Sequence, residues 1–356
     1  MIELRGDAGE GGGQVLRTAL SLSAATGRPF RIVRIRGARP NPGLRAQHLE
    51  AIRATGRVCT ARFSDVAVGA SELEFHPGAV TPGHYESHVG TAGSATLILQ
   101  TVLWPLALSG SPSEVRVSGG THVPRAPCFD FLELAYAPAV ARIGVPMTFQ
   151  MSRAGFYPRG GGEIVARIPG GAQPEPLELV ARGELRDVEV RSLVARLPRS
   201  IAERQAAKAS SLLAALGLHP EVTVLEVAAA SPGTAVVVLA RFERWRTCVF
   251  SLGERGKPAE QVAAEAVAAL TSHLTASGAV DRHLADQLLI PLALAKARSL
   301  FTVDRVTSHL LTNAAIVREF TEAKITIEGE IDEPGRVSVL PRAVNLHVPS
   351  GGGRRA

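Results

Sequence analysis

Cysteine is scarce in this sequence, which has three in 356 residues: Cys59, Cys128 and Cys248. Their odd number and wide spacing exclude a disulfide framework and do not match the ligand spacing of a zinc knuckle. The chain also lacks any run of 18 apolar residues, and its first residues, MIELRGDAGEGGG, do not resemble the apolar segment of a secretory signal. These absences predict a reducing, cytoplasmic setting with no membrane span.

Lysine is scarce too, since the basic residues are almost all arginine and the only lysines are Lys208, Lys257, Lys296 and Lys324. None lies in the Lys-x-Asp-Gly context of enzymes that transfer nucleotides through a lysine adduct, so a histidine is the better candidate for any such adduct. Arginine binds phosphate through a bidentate fork, and the net charge of +6 fits a phosphate-rich partner. A GC-rich coding sequence would give the same bias, and composition leaves both explanations open.

Aromatic residues make up only 4% of the chain, and no stacking motif of the RRM type is present. Any RNA contact is therefore predicted at the end of a strand rather than along many bases. What the chain does have is a globular composition, with 46% hydrophobic and 20% charged residues, and enough length for two or three domains.

Three apolar segments share a pattern that predicts repeated units of the α/β (α+β) class. They are QVLRTALSLSAATG, LILQTVLWPLALSG and DQLLIPLALAKA, and each has one polar residue in an equivalent early position, namely Arg17, Gln100 and Asp286. VRIRG at 33–37 and VRVSG at 115–119 recur at an offset of about 82 residues, each before a Pro-containing loop and a further helix. A strand–helix–strand–helix unit of this length predicts α/β modules lying side by side.

The pattern changes between 183 and 276, where strand-like and helix-like segments predict a compact α/β insertion. A third copy of the unit is predicted to begin near Ser277. The repeats would thus form one discontinuous domain over 1–182 and 277–340. The polar stretch 341–356 has no periodicity and is predicted to be a disordered tail.

A glycine-rich turn, GEGGGQ at 9–14, opens the first apolar helix. Successive glycines before a helix let backbone N–H groups approach an anion, and a carboxylate such as Glu10 beside a phosphate commonly holds Mg²⁺. The alternative is a tight strand–helix turn with no ligand. No Walker A motif is present, because GERGKPAE at 253–260 has the wrong spacing.

Arginines cluster in VRIRGARPNPG, at a predicted strand end and in the loop after it. Arg36 and Arg39, with Arg17 on the neighbouring helix, suit a terminal phosphate or a nucleic-acid backbone. Arg34 fits a solvated basic face better.

The segment FTVDRVTSHLLTNAAIVREF, residues 301–320, predicts a short strand followed by a helix that starts at a hydroxyl cap, Thr307-Ser308. His309 falls in the first turn, where free backbone N–H groups bind phosphate and the helix dipole favours a neutral imidazole. A neutral imidazole beside a phosphate is a plausible nucleophile. The alternative is a polar residue at a helix start with a backbone partner.

These and other blocks resemble the RNA 3'-terminal phosphate cyclase family from residue 1 to about 340. The matching blocks are GEGGGQVLRTALSLS, RPNPGLRAQHLEAI, GTAGSATLILQTVL, VSGGTHVPRAP, GFYPRGGGEI, LADQLLIPLALA and SHLLTNAAIVREF. The resemblance implies three βαβαββ repeats that form a large domain, with a smaller thioredoxin-like α/β insertion.

The resemblance also implies a reaction in three steps. A histidine attacks the α-phosphorus of ATP, giving a histidine–AMP adduct and pyrophosphate. The AMP then passes to an RNA 3'-phosphate, and the vicinal 2'-OH closes a 2',3'-cyclic phosphate and expels AMP. ATP and the RNA 3'-phosphate end are the implied partners, with a divalent metal, Mg²⁺ or Mn²⁺. The oligomeric state stays open, a homodimer included.

Carried onto this chain, the family pattern implies His309 as the nucleophile, Glu10 as the metal ligand and Asp286 as the residue that orients or polarises His309. Contacts to ATP are implied for Gln100, Pro127, His283, Leu284, Ala285, Asp286 and Gln287. Contacts to phosphates or the RNA end are implied for Arg17, Arg36, Arg39, Gln14 and Gln47. His283 departs from the family pattern, where a tyrosine is usual, and this weakens a stacking contact.

Two related groups give alternative functions. A ribosome-biogenesis branch of the fold lacks the catalytic histidine and acts as a non-enzymatic assembly factor, whereas SHLLTN is intact here. The enolpyruvyl-transferase synthases use similar repeats on small phosphorylated substrates but lack the blocks quoted above.

Overall fold

The structure, a computed structural model, describes residues 1–9 and 12–342. Over these residues the chain forms four four-stranded sheets with helices packed against them, so the architecture is mixed α and β, as predicted. The tail predicted for 341–356 lies outside the described residues, apart from Pro341 and Arg342.

The first sheet has the order β1-β2-β4-β3 and consists of β1 (Ile2–Arg5), β2 (Phe30–Val33), β3 (Arg62–Phe63) and β4 (Leu73–His76). Helix α1 (Gln14–Thr26) connects β1 to β2, and α2 (Ala46–Val58) connects β2 to β3. β1 and β2 are parallel, as strands joined through a crossover helix can be, whereas β4 is antiparallel to both of its neighbours.

The second sheet repeats this arrangement with the order β5-β6-β8-β7, formed by β5 (His84–His88), β6 (Ser113–Gly119), β7 (Thr148–Arg153) and β8 (Gly162–Ile168). Helix α3 (Ala95–Leu108) joins β5 to β6. The connection from β6 to β7 contains α4 (Phe129–Phe131), a π-helical turn (Leu132–Tyr136) and α5 (Ala137–Arg142). Again the first two strands are parallel and β8 is antiparallel to both neighbours.

A short strand, β9 (Glu178–Leu179), is followed by a sheet with the order β11-β10-β12-β13, made of β10 (Leu185–Ala195), β11 (Glu221–Glu226), β12 (Gly233–Phe242) and β13 (Arg246–Leu252). Helices α6 (Arg199–Ala214) and α7 (Ala259–Thr275) pack against each other and on one face of this sheet. On the opposite face, Leu239 and Cys248 join the large core, and β13 contacts the π-helical turn.

The last sheet has the order β15-β16-β14-β9 and adds β14 (Ser299–Val303), β15 (Lys324–Glu328) and β16 (Gly335–Leu340). Helix α8 (Arg282–Ala293) precedes β14, and α9 (Ser308–Thr321) connects β14 to β15. β9 pairs parallel to β14, so this sheet takes a strand from before residue 183. The third repeat predicted from the sequence begins near Ser277 and so does not include β9. A strand of two residues has no periodicity from which it could be predicted.

The core that positions the site is helical. Helix α1 packs against α3 and α9, and α8 packs against α9. Helix α3 is buried on nearly all sides, which matches its almost continuous apolar sequence. Prolines lie at matched positions inside two of these helices, Pro105 in α3 and Pro291 in α8, as the aligned segments predict.

The segment VRIRG at 33–37 is not a strand, which corrects the prediction made from its match to 115–119. β2 ends at Val33, and both Arg34 and Arg36 adopt the left-handed conformation with φ of 54°. A turn follows, in which the Gly37 N–H donates to the Arg34 carbonyl over 2.9 Å. The alternation of apolar and basic residues resembles a half-buried strand, but here the backbone reverses and presents the arginine-rich loop.

Candidate active site

Three helices meet at their N-terminal ends: α1, α8 and α9. A buried hydrogen bond of 2.6 Å runs from the Thr18 hydroxyl on α1 to Asn313 Oδ1 on α9. Asn313 Nδ2 then donates to the backbone carbonyl of Asp286 on α8 over 2.6 Å. These two bonds hold the first turns of the three helices together, because each side chain lies about one turn from a helix start.

Helix α9 begins as its sequence predicts. Thr307 is the N-cap, and its hydroxyl accepts a hydrogen bond from the Leu310 N–H over 3.1 Å. His309 therefore lies in the first turn. The loop after β1 closely approaches the same helix: Gly9 has φ of +58°, and a Cβ there would lie 2.0 Å from the Thr312 hydroxyl. A larger residue here would be strained by the positive φ and would displace the Thr312 side chain.

His309, Gln14 and Asp286 form a chain of side-chain hydrogen bonds. Gln14 Nε2 donates to Asp286 Oδ2 over 2.6 Å, and Gln14 Oε1 lies 2.8 Å from His309 Nδ1. When Asp286 is ionised its carboxylate can only accept, so the amide presents its NH₂ to Asp286 and its oxygen to His309. His309 Nδ1 therefore carries the proton, and in the neutral ring the lone pair is on Nε2.

The chain of bonds relates two of the predicted site residues, Asp286 and Gln14, to His309. Asp286 reaches His309 through an intervening amide rather than by direct contact. Gln14, which the family pattern implies as a contact to phosphate or RNA, is the residue that joins them. Nothing in a single sequence links positions 14 and 309, which lie 295 residues apart.

The carboxyl group of Asp286 has an unusual pKa. Burial raises the pKa of Asp286 from its usual 3.8 to about 7; Asp281 adds to the rise, while Gln14 and Arg17 oppose it. Burial also lowers the pKa of Arg17 to about 10, with Asp286 opposing that change. Arg17 thus remains a cation at neutral pH, and Asp286 changes its charge near neutrality.

A cluster of arginines, hereafter the arginine pocket, surrounds His48 at the start of α2. His48 is 3% exposed, and burial together with the cations of Arg17, Arg36 and Arg45 lowers its pKa to about 3. Its Nδ1 accepts the Arg45 N–H over 3.0 Å, so the proton of the neutral ring is on Nε2. Gly13 lies against this ring, since a Cβ there would be 2.3 Å from His48 Nε2. Arginines brought together at such an electrostatic cost are typical of an anion site.

Arg36 and Arg39 border the same pocket. Arg36 NH1 donates to the carbonyls of Asn41 and Gly43, and burial followed by the charges of Arg45 and Arg39 lowers its pKa. The Arg39 guanidinium lies beside Gly12, where a Cβ would be 3.3 Å from NH2. The structure thus brings Arg36 and Arg39 to the start of α1, next to Arg17.

Several residues predicted to contact ATP also come together. The Gln100 amide on α3 donates to Gln287 Oε1 on α8, and Gln287 Nε2 donates to the His283 carbonyl over 2.8 Å. The Pro127 carbonyl accepts a 2.8 Å hydrogen bond from Thr96, one turn before Gln100.

Leu284 and Ala285 differ from their neighbours, because both side chains are fully buried in the core. Helical periodicity explains the difference, since 283, 286 and 287 lie on one side of α8 and 284, 285 and 288 on the other. Their side chains are therefore not available to a ligand.

The remaining predicted residues are Gln47 and Glu10. Gln47 lies in the first turn of α2 and accepts the Ser94 N–H over 3.2 Å, which links α2 to the start of α3. Glu10 lies outside the described residues, so the metal site stays a prediction. Within the described part of the chain, the one three-residue group suited to a metal is His122, Cys128 and Asp130. Both nitrogens of its imidazole already have partners, Thr121 and Asp130.

Sequence reasoning missed four residues of this site: Thr18, Asn313, His48 and Arg45. The first two had a detectable signal, because each lies four residues after a predicted site residue, Gln14 or His309, on an otherwise apolar helix face. His48 had none, since its position among three arginines depends on the fold.

No helix within residues 1–9 and 12–342 combines the length and the apolar character needed to cross a membrane. A solved structure, the enolpyruvyl transferase NikO from Streptomyces tendae, shares 17% identity and has a TM-score of 0.27 over 59% of this chain and 38% of its own. This likeness is too low to support any conclusion about fold or function.

Several relatives that align over nearly the full length of this chain have the same name. The proteins called RNA 3'-terminal phosphate cyclase from Methylococcus capsulatus and Ralstonia nicotianae are 43% and 44% identical, over 92% and 93% of this chain and 93% and 94% of their own. One of that name from Methanopyrus kandleri is 41% identical over 96% of this chain and 99% of its own. The family model described as RNA 3'-terminal phosphate cyclase matches residues 8–327. The chain therefore belongs to the RNA 3'-terminal phosphate cyclase family of enzymes.

Proposed function

We propose that this enzyme uses ATP to convert an RNA 3'-terminal phosphate to a 2',3'-cyclic phosphate through a covalent His309–AMP intermediate. The observation that carries the proposal is the hydrogen-bonded chain from Asp286 through Gln14 to His309 Nδ1, which lies beside Arg17. It directs the Nδ1–H of His309 toward Gln14 in the first turn of α9, which leaves Nε2 to act as the nucleophile, and Arg17 interacts with Asp286 in the same chain of residues.

In the first step His309 Nε2 bonds to the α-phosphorus of ATP while the bond from that phosphorus to pyrophosphate breaks. The imidazole ring gains positive charge as the new bond forms. Gln14 Oε1, as acceptor of the Nδ1–H, stabilises that charge, and ionised Asp286 stabilises it further through the amide. Arg17 offers its charge to the phosphates, which become more negative as pyrophosphate leaves.

In the second step an oxygen of the RNA 3'-phosphate attacks the phosphorus of AMP, the N–P bond breaks, and His309 regains its lone pair. The product is an RNA end joined to AMP through an anhydride. In the third step the 2'-OH oxygen bonds to the 3'-phosphorus, the P–O bond from that phosphorus to AMP breaks, AMP leaves with its electron pair, and the hydroxyl proton passes to solvent. A dianionic phosphate is a poor electrophile, so the enzyme's contribution is activation, positioning and charge neutralisation.

We assign the remaining residues to the two substrates. Gln100, Pro127, His283, Asp286 and Gln287 line the ATP side, and the buried Leu284 and Ala285 support them from the core. The arginine pocket, with Gln47, takes the RNA 3'-phosphate, and Glu10 would hold a divalent cation. Such a cation supplies charge neutralisation at the phosphates of ATP.

The sheet orders support a division of the chain into repeats. We infer that 1–182 and 277–340 form three βαβαββ units, because three sheets share one order of strands and one pattern of strand directions. The sheet between them, with two helices on one face, is the inserted domain over 183–276, and we infer a thioredoxin-like arrangement for it. The three cysteines are buried free thiols, which supports a reducing, cytoplasmic setting.

Mass spectrometry of the protein after exposure to ATP without RNA tests the proposal directly. We expect the intact mass to increase by one adenylyl group, and we expect fragmentation to locate it on the peptide that contains His309. An unchanged mass would favour a non-enzymatic assembly factor, and an adduct mapped to another peptide would refute the assignment of the nucleophile.

Arg39→Ala should separate the steps of the reaction. Because Arg39 lies on the RNA side of the pocket, we expect RNA cyclisation to fall on the order of 100-fold, whereas formation of the AMP adduct falls less than about 5-fold, since bidentate arginine contacts to phosphate are strong. Arg34→Ala on the same loop is the control, because its exposed side chain pairs with Asp7 at 3.6 Å. Equal losses in both steps would place Arg39 at ATP instead.

A further inference from the structure

One loop of the block GFYPRGGGEI is not used by the proposed site. In this loop, residues 156–161 and hereafter the Tyr157 loop, three exposed residues form the tip: Tyr157, Pro158 and Arg159. The residues on either side, Phe156 and Gly160, are buried. Tyr157 is 69% exposed, so its ring is accessible to a ligand.

The base of the Tyr157 loop is anchored firmly. Phe156 is 4% exposed and stacks on His122 with ring centroids 5.2 Å apart. Its carbonyl accepts two hydrogen bonds, from the Gly160 N–H over 2.8 Å and from the Ser231 hydroxyl over 2.9 Å. Ser231 belongs to the inserted segment, so the tip projects from a base fixed by both parts of the chain. A binding residue on such a base needs little ordering when a ligand arrives.

The Tyr157 loop adjoins the arginine pocket through a short series of contacts. Gly160, with φ of +66°, lies against the turn before α3, where a Cβ would be 2.7 Å from the Thr91 carbonyl oxygen. The Ser94 N–H at the end of that turn donates to Gln47 on α2. Gln47 is two residues after Arg45, one of the cations that surround His48. Thr91 and Gly90, in the turn between the Tyr157 loop and α2, are exposed to solvent.

The charge along this surface is positive. Arg159 is exposed at the tip, and Arg153 donates from Nε to the Gly161 carbonyl over 2.6 Å at its base. The nearest carboxylate on the adjoining strand, Glu163, is already held by Arg116 and Ser152, both at 2.8 Å. An exposed aromatic ring between arginines is the arrangement that binds a single strand of nucleic acid, because every base has a face to stack and every nucleotide a phosphate.

We infer that the Tyr157 loop is a second RNA subsite, which binds the strand on the 5' side of the last two nucleotides. Tyr157 stacks on a base and Arg159 contacts a phosphate, while the 3'-phosphate occupies the arginine pocket. The inference rests on the proposed function, because it needs an RNA end in that pocket. The sequence predicts RNA contacts at the end of the strand. The inference extends these contacts upstream through one aromatic residue.

Substrate length provides the test. We would measure KM and kcat for cyclisation of 3'-phosphorylated RNAs from a dinucleotide to about ten nucleotides, with wild type, Tyr157→Ala and Tyr157→Trp. Tyr157→Ala should raise KM for the long RNAs about 10-fold, because loss of one base–aromatic stack has an effect of that order. KM for the dinucleotide and kcat for all lengths should stay within about 2-fold, and Tyr157→Trp should keep the wild-type KM.

Two further measurements separate failure of the subsite from failure of the proposed function. Fluorescence anisotropy of the same RNAs without ATP reports binding even if His309 forms no adduct, and it should show the same 10-fold loss for long RNAs. Formation of the AMP adduct without RNA should be equal in wild type and Tyr157→Ala.

Arg159→Ala should weaken the salt dependence of binding, whereas Arg62→Ala, an exposed arginine on β3, should not. Equal affinities of wild type and Tyr157→Ala at every length would overturn the inference.

Discussion

Replacing His309 with alanine is expected to abolish the radiolabelled adduct formed from ATP labelled in its α-phosphate. The variant has no ring nitrogen at the start of α9, and the nearby His48 cannot substitute, because it is 3% exposed. The adduct of the wild type should be labile in acid and stable in base, as a bond between nitrogen and phosphorus is. The opposite pattern would indicate an ester or acyl link.

Two controls make the result specific. His219→Ala changes an exposed histidine of the inserted segment and should leave the adduct unchanged. RNA that already carries the 3'-anhydride to AMP bypasses the first two steps, so His309→Ala should still close its 2',3'-cyclic phosphate. Loss of this third step as well would mean that His309 has a further role or that the variant does not fold. Survival of the adduct in His309→Ala would refute the nucleophile assignment.

The start of α9 shows what sequence alone can predict. Thr307-Ser308 followed by apolar residues at helical spacing correctly predicts a capped helix, and it correctly places His309 in the first turn. Both features depend on residues next to each other in the chain. The strand orders of the sheets depend on more distant pairing. β9 has two residues, and its place beside β14 depends on pairing across about 120 residues, which no local pattern reveals.

The hydrogen bonds of the site show the same limit. Asp286 has an equivalent polar position to Arg17 and Gln100 in the aligned segments, so its place near a helix start could be predicted. That Gln14 lies between Asp286 and His309 could not, because it requires α1, α8 and α9 to converge. Likewise, VRIRG has the alternation of a strand, but the left-handed backbone at Arg34 and Arg36 depends on contacts outside the segment.

Asp286→Asn should lower the rate of adduct formation on the order of 10- to 100-fold at pH 8. Asparagine can still accept the hydrogen bond from Gln14, so the tautomer of His309 is kept and only the negative charge is lost. The effect should therefore be smaller than the loss of about 10⁴-fold seen in serine proteases when the equivalent change also disturbs the tautomer. In the wild type, the rate should rise as pH rises through about 7, where Asp286 ionises, and this rise should be absent in the variant.

Asp286→Asn should lower the rate of adduct formation but raise the free energy of unfolding at pH 8. The pKa of Asp286 is raised on folding from 3.8 to about 7, so between these values the folded state holds a proton that the unfolded state releases. Stability from this group is therefore fully present below about pH 4 and is lost as pH rises through 7. Relative to wild type, Asp286→Asn should gain stability at pH 8 but not at pH 4, measured by urea unfolding. Asp332→Asn, an exposed aspartate, should show no such difference. A variant that lost activity and stability together at pH 8 would show that Asp286 supports the fold rather than the charge on His309.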